Sequence, residues 1–527
     1  MELKYIDNLE KATRKGKLES LRMGICFVFL LCVLLYASSF GISGEEGLLL
    51  AIAATIGAYM AMNIGANDVA NNVGPSVGSH AITMGGALLI AALFEAAGAL
   101  IAGGDVVATI RDGIIDPAGV ADNRTFVWLM MAALLAGALW LNIATAIGAP
   151  VSTTHSIVGA VLGAGAAAAG WEVVNWNMLT SIVTSWIVSP ILGGIAAAGL
   201  LYLIKRSITY QTDMLAAAAK TVPLLVALMA WTFTTYLMLK GLKKVWPVST
   251  ECAFLTGFCV GLAVFLFLRP FLRKRMAVCE NTKESVNQLF TVPLIFSAAL
   301  LSFAHGSNDV ANAVGPLAAI AHALGGETTS AGEVAIPFWV MMVGAIGISL
   351  GLALFGPKLI RTVGSEITEL DKMRAYCIAM ASALTVIIAS QLGMPVSSTH
   401  IAVGGVFGVG FLREYLKANY ARMEDEIRAH HSQDNLAAVN AFLTSFKAAP
   451  LNQKGTMLKE LKLQSRLKQD PANFSKPERK GMKKFYRREL VKRSQLQKII
   501  AAWVITVPAS ALMATGIFYL LSEIFGG

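Results

Sequence analysis

The stretch Asn63-Ile-Gly-Ala-Asn-Asp-Val-Ala-Asn-Asn-Val-Gly-Pro75 returns 241 residues later as Ala304-His-Gly-Ser-Asn-Asp-Val-Ala-Asn-Ala-Val-Gly-Pro316. Each copy is a cluster of Asp and Asn, punctuated by Gly and Pro and set in long apolar sequence. Such groups are unfavourable in a lipid interior unless they have partners or a task. Their repetition makes the chain a duplication before anything else is known about it.

Three further pairs extend the duplication. Gly148-Ala-Pro-Val-Ser-Thr-Thr-His155 matches Gly393-Met-Pro-Val-Ser-Ser-Thr-His400 at an offset of 245, and Val158-Gly-Ala-Val-Leu-Gly-Ala-Gly165 matches Val403-Gly-Gly-Val-Phe-Gly-Val-Gly410 at the same offset. Trp186-Ile-Val-Ser-Pro190 resembles Trp503-Val-Ile-Thr-Val-Pro508, but at an offset of 317, so the second half carries an insert within 412–498. Segments 1–46, 47–205, 206–284, 285–412, 413–498 and 499–527 then read as an N-terminal stretch with a first span, a first repeat, linking spans, a second repeat, a basic insert and the last span of the second repeat.

The chain has 527 residues, 55% of them hydrophobic and only 14% charged. That composition lies outside the range of soluble domains. Apolar runs of membrane-spanning length stand at 23–43, 47–66, 81–102, 126–147, 177–204, 214–239, 247–268, 288–304, 335–355, 375–393 and 499–522. The expected fold is an all-α polytopic membrane protein of about 11–12 spans. Met1 to Arg22 is charged and is followed by an apolar run with no small-residue cleavage site, which does not read as a cleaved signal peptide.

The net charge of +10 is concentrated in one place: residues 413–498 hold 20 Lys and Arg against 9 Asp and Glu. A basic segment beside membrane helices marks the cytoplasmic side, and without interleaved aromatics it does not indicate a nucleic-acid partner. Within the insert, Ala437 to Phe446 and Leu458 to Leu467 have helical periodicity, separated by Pro450, Pro471 and Pro477. Lys205 and Arg206 follow the Trp186 helix, whereas the basic insert precedes its partner, the Trp503 helix. Matching helices therefore cross in opposite directions, an inverted-topology repeat with broken or re-entrant helices. Lys240, Lys243 and Lys244 would then lie outside, against the charge rule. Six scattered cysteines show no C-x-x-C pair or metal-ligand spacing.

Asn67 and Asn71 stand at i, i+4 beside Asp68, as Asn308 and Asn312 do beside Asp309. Glycines and prolines in the motif allow a helix to break and free its carbonyls. These hard oxygen ligands suit Na⁺ or a proton and not a transition metal. In the Pro-Val-Ser segments, proline is read at the first helical position, with hydroxyls in the first turn, where free N–H groups favour an anion. Ser152, Thr153 and Thr154 with Ser397, Ser398 and Thr399 could surround an oxyanion from two sides. No Lys or Arg lies in any of these motifs. Asp68 and Asp309 within about 6 Å of a phosphate would each repel a unit charge by roughly 3 kcal/mol at an effective dielectric of about 20. Cations bound at the carboxylates would reverse that sign, so anion and cation binding would be reciprocally linked. Glu95, an ionisable group in a span, is an accessory candidate, as are His155 and His400. The competing reading makes these residues interhelical hydrogen bonds and helix caps; glycine-spaced runs such as Gly159 to Gly165 are most simply packing surfaces.

On these residues the chain resembles the inorganic phosphate transporter (PiT) family. Gly65-Ala-Asn-Asp-Val-Ala-Asn71, Gly306-Ser-Asn-Asp-Val-Ala-Asn312 and the two Pro-Val-Ser-(Thr/Ser)-Thr-His segments are similar to that family's duplicated signature. The resemblance implies import of inorganic phosphate by symport with Na⁺, or in some members H⁺, by a homodimer in the cytoplasmic (inner) membrane. It also implies cation ligands at Asn67, Asp68, Asn308 and Asp309, phosphate contacts at the Ser/Thr residues and no cofactor. Many relatives place their hydrophilic segment between the halves, and many carry Glu or Gln where this chain has Ala379. Some members carry sulfate. Rival readings are an anion channel and an intramembrane serine hydrolase pairing Ser152 with His155.

Overall fold

The computed structural model describes residues 2–39, 44–149, 151–241, 248–276, 279–325, 336–366, 370–430, 433–449, 457, 460–461, 474 and 493–525. Helices α1 Glu2–Ser38, α2 Glu45–Gly78, α3 Met84–Ala102, α4 Gly104–Asp112, α5 Asn123–Ile147, α6 Thr153–Ala169 and α7 Trp176–Ile204 precede two linking helices, α8 Met214–Lys240 and α9 Thr250–Met276. Then come α10 Lys283–Leu289, α11 Thr291–Asp309, α12 Ala311–Ala323, α13 Phe338–Glu366, α14 Lys372–Gln391, α15 Ser398–His430, α16 Gln433–Ala448 and α17 Arg493–Phe525. Among the described residues the only β pairing is one bridge, between Ile115 and Val174. A lipid interior offers no hydrogen bonds to an open backbone, so apolar runs of this length must be helical. Polar side chains set where several begin: Thr83, Asp122, Asn175, Asp213, Thr282 and Asp371 each accept a backbone N–H three residues on.

Among the described residues, eleven segments are long and apolar enough to cross a membrane, one for each apolar run of the sequence. Two of them take a different path. Asp116 N donates to Val173 O at 2.9 Å and Asn175 N to Ile114 O at 3.0 Å. The chain entering α5 thus lies beside the chain leaving α6, and α5–α6 is a re-entrant hairpin, turning at Gly148 with φ 75°. Its counterpart is α14–α15, turning at Gly393 with φ 66°; the start of α14 and Arg413 of α15 line one cavity. With neither hairpin crossing, α11 is the fifth crossing after α2, and an odd step reverses direction. The repeats are inverted.

The breaks fall at these hairpin tips and not inside the Asn-Asp motif. Helix α2 continues through Gly65, Gly74 and Pro75, and the second copy pauses only at Val310, between α11 and α12. Proline does not occupy the first helical position either: α15 begins at Ser398, with Ser397 capping it and Pro395 before the cap.

The halves are interlocked. Helix α2 packs most extensively on α13, as α11 does on α3; α15 packs on α7, as α17 does on α6. Glycines permit the approach. A Cβ on Gly65 would lie 2.0 Å from Ile348 O, and one on Gly306 would lie 2.1 Å from Glu95 O. Gly163 faces Ala511 O, and Gly408 faces Gly194 O. The glycine-spaced runs are packing surfaces, as their spacing predicts.

Of the insert, Ala437 to Phe446 is helical within α16, and Val439, Leu443 and Phe446 cluster with Leu461 and Phe474. The helical reading of Leu458 to Leu467 falls largely outside the described residues, as do Pro450, Pro471, Pro477, Lys243 and Lys244.

Candidate functional site: a buried acidic cluster between the repeats

The repeated motifs meet in the interior, where Asn67, Asp68, Asn71, Asn308, Asp309 and Asn312 are all buried. Crossing of the halves decides their partners. Thr399 Oγ1 donates to Asp68 Oδ1 at 3.0 Å and accepts from Asn71 Nδ2 at 2.8 Å, so a hydroxyl of the second repeat completes the first motif. In reverse, Asn312 Nδ2 reaches Thr153 Oγ1 at 3.2 Å and Thr154 Oγ1 at 3.3 Å. Ser398 Oγ donates to Asp309 Oδ2 at 2.9 Å within the second repeat. Asn308 ties α11 to the hairpin tip by donating to Ser390 Oγ and Met394 O and accepting from Val396 N. The Asn67 amide meets the Thr145 hydroxyl at 3.1 Å in the equivalent place.

The six hydroxyls divide by role. Ser152 and Ser397 accept the backbone N–H of His155 and His400, so they cap α6 and α15. Thr153, Thr154, Ser398 and Thr399 face the Asp/Asn clusters. The capping and the binding readings therefore apply to different members of one segment. Thr154 also bonds Val396 O of the opposite hairpin at 3.0 Å.

Glu95 belongs to the cluster: its Oε1 accepts from Asn72 Nδ2 at 2.8 Å. The residue that sequence reasoning missed is His305. Its Nε2 lies 3.0 Å from Asp309 Oδ2 and 3.6 Å from Asp68 Oδ2, and its Nδ1 lies 3.2 Å from Glu95 Oε2. The site is thus not without a basic side chain. The available signal was its place four residues before Asp309, where the first copy has Ile64. Asp68, His305 and Asp309 bring their ligand atoms within 4.8 Å of one another. Asp309 Oδ1, Asn72 Oδ1 and Asn312 Oδ1 are buried oxygens with no hydrogen bond. Buried oxygens of this kind, with two carboxylates, fit a hard cation such as Na⁺.

His155 and His400 do not enter the cluster. Their rings meet edge-on at 4.3 Å, with Trp186 tilted against His155 at 3.8 Å and Trp503 tilted against His400 at 3.6 Å. This stack joins equivalent residues of both repeats and is a packing element. Ser152 meets the backbone of His155 and not its ring, so the pair has no nucleophile–base geometry.

Residues 64–514 match the family model described as the phosphate transporter family. The chain belongs to the phosphate transporter family. It is 52% identical over 530 residues to a protein of Helicobacter pylori provisionally named a phosphate permease, covering 99% of each chain. A similarly named protein of Pyrococcus abyssi is 39% identical over 374 residues, covering 71% of this chain and 91% of its own. Among solved structures, one titled the sodium-dependent phosphate transporter matches with a TM-score of 0.72 and 32% identity, over 90% of this chain and 100% of that one. As a member of the phosphate transporter family the chain is a multi-pass membrane transporter and not a hydrolase, in agreement with the placement of Ser152 and His155.

Proposed function

We propose that this phosphate transporter imports inorganic phosphate by symport with Na⁺ across the cytoplasmic membrane. One observation carries the coupling: the hydroxyls suited to an anion, Thr399 and Ser398, donate to the carboxylates suited to a cation, Asp68 and Asp309. A cation that takes over the carboxylate oxygens frees both hydroxyls to turn to phosphate and cancels a repulsion of roughly 3 kcal/mol per carboxylate. Binding of one ion then favours the other by the same factor. Asn71 and Asn312 hold the geometry by reaching across the repeat boundary.

Charge supports the orientation. Lys205, Arg206, Arg269, Arg273, Lys372 and Arg374 lie at one end of the bundle by the crossing count, and Lys and Arg favour the cytoplasm. The N-terminus and the 413–498 insert belong to that end. Lys240 falls at the other, where Asp105 pairs with it and offsets its charge. The homodimer rests on the resemblance; light scattering of the detergent-solubilised protein tests it.

The deciding experiment is radiolabelled phosphate uptake into proteoliposomes, with and without an inward Na⁺ gradient and with sulfate as competitor. Na⁺-driven accumulation indifferent to sulfate, falling about 100-fold in Asp309→Asn, is expected. A second reading, H⁺ coupling, is favoured by His305 standing among Asp68, Glu95 and Asp309. Uptake driven by a pH gradient without Na⁺ would select it. Sulfate accumulation without phosphate uptake would overturn the substrate.

A further inference from the structure

Tyr236 stands in α8, a linking helix that belongs to neither repeat, yet its hydroxyl reaches the second motif. The residue is 2% exposed. Its Oη lies 3.0 Å from the Oγ of Ser307, the residue just before Asn308 and Asp309 in α11. The Ser307 proton is already committed to Ala304 O at 2.8 Å, so Tyr236 is the donor. Tyr236 Oη also meets the Ser390 hydroxyl, and Ser390 Oγ accepts from Asn308 Nδ2 at 3.0 Å. With Asn308 Oδ1 held by the Val396 N–H, the amide has one orientation, and every proton in the chain has a direction. Asn308 donates to Ser390, Ser390 to Tyr236, Tyr236 to Ser307 and Ser307 to Ala304 O.

The first motif cannot be braced this way, because Ala66 stands at the position equivalent to Ser307 and offers no hydroxyl. A buried tyrosine hydroxyl needs a partner of some kind; this one touches both groups that flank Asn308, the residue before it in the helix and the hydroxyl that holds its amide. Beyond Asn308 the contacts run through Met394 and Val396 of the hairpin tip to Ser397, which caps α15, and Ser398, which donates to Asp309. Phe233 and Tyr236 both pack edge-on against Phe303, one turn earlier on α11, with ring centroids 5.3 and 5.9 Å away. The rings hold α8 on α11, and the hydroxyl is left to orient the motif.

We infer that Tyr236 is a positioning residue for the coupling cation at the second motif: its hydroxyl holds Asn308, and through the hairpin tip the Ser398–Asp309 pair, in the arrangement that receives the ion. The inference rests on the cation-coupled reading above and adds to it a residue outside both repeats. Without the hydroxyl, Ser390 and Ser307 each lose a partner and the Asn308 amide can turn. The cation must then order the motif as it binds, and an ion that binds only the ordered fraction needs a higher concentration to fill its site. Once the cation saturates, the motif is ordered and phosphate binds as before.

The test is phosphate uptake kinetics in proteoliposomes for the full-length wild type, Tyr236→Phe, Ser307→Ala and the double variant, with the melting temperature of each in detergent. The cation titrated is Na⁺, or H⁺ if the wild type accumulates phosphate on a pH gradient alone. Each single variant is expected to raise the half-saturating cation about tenfold and the double variant no further, with half-saturating phosphate at saturating cation unchanged. A tyrosine that only fills space would lower the melting temperature or the maximal rate and leave the half-saturating cation where it was. That result, or single effects that add in the double variant, overturns the inference. Ser307→Ala installs the residue of the first copy, so it keeps the test decisive even if Tyr236→Phe does not fold. A wild type indifferent to any cation sinks the coupled-transport reading and this inference with it, whereas a cation-dependent wild type matched by both single variants sinks this inference alone.

Discussion

His305 joins carboxylates from three helices, Asp68 of α2, Glu95 of α3 and Asp309 of its own α11. Replacing it by the first copy's residue, His305→Ile, leaves three acids without a basic neighbour. Phosphate uptake is expected to fall at least about tenfold while half-saturating Na⁺ also falls, because the carboxylates lose the imidazole that occupies them and are left to the cation; uptake kinetics at varied Na⁺ check both. Packing of Gly306 gives a second residue-scale prediction. Gly306→Ala forces a Cβ to 2.1 Å from Glu95 O, whereas a Cβ at Gly199 has nothing within 4 Å. The first should cost more than about 3 kcal/mol and the second nearly nothing, read as yield and melting temperature in detergent. Repetition made the Asp and Asn residues legible in the sequence, and the same logic hid His305. It is where the copies differ. By the paired contacts of Gly65 and Gly306, His305–Glu95 occupies the place of Ile64–Ile348: a polar pair at one of the two equivalent contacts between the repeats, an apolar pair at the other.

At the scale of elements, the apolar run 126–147 looks like any crossing, and the reason is burial. Hydropathy measures only dislike of water, and a hairpin limb enclosed by protein dislikes water as much as a helix in lipid. The most apolar stretch of α5 is 72% buried, that of the first span 11%. Only the pairing of Ile115 with Val174 separates the cases. Cysteines placed at Asp116 and at Glu172, both exposed, in a background lacking the six native ones, should react with an impermeant maleimide from the same side. Arg206→Cys should react from the other. Helix α5 itself depends on its cap. Asp122 accepts the Thr125 backbone N–H at 2.8 Å and the Thr125 hydroxyl at 2.9 Å, and these bonds hold its carboxyl below its ordinary range. A depressed folded value means stability present above the unfolded value and lost as pH falls through the folded one. Asp122→Ala should therefore lower stability by about 1 kcal/mol near neutral pH, and the melting curves of wild type and variant should converge in acid below the ordinary carboxylate range.

Across the whole molecule, the inverted duplication was legible because motif identity gives the repeat and basic residues give the direction. What the sequence could not disclose is the exchange of partners, α2 with α13 and α11 with α3, since an offset says which helices correspond and not which touch. Those exchanged contacts set a schedule for synthesis. Helix α2 leaves the ribosome about 260 residues ahead of α13, a wait on the order of tens of seconds at ordinary elongation rates. During that interval the backbone face around Gly65 and the Asp68 carboxylate have no mate. The first half must persist in the bilayer as an unfinished partner, and neither half is a folding unit alone. The chain divided within 242–247 should therefore yield two inert fragments when expressed singly and regain uptake when both are made in one cell.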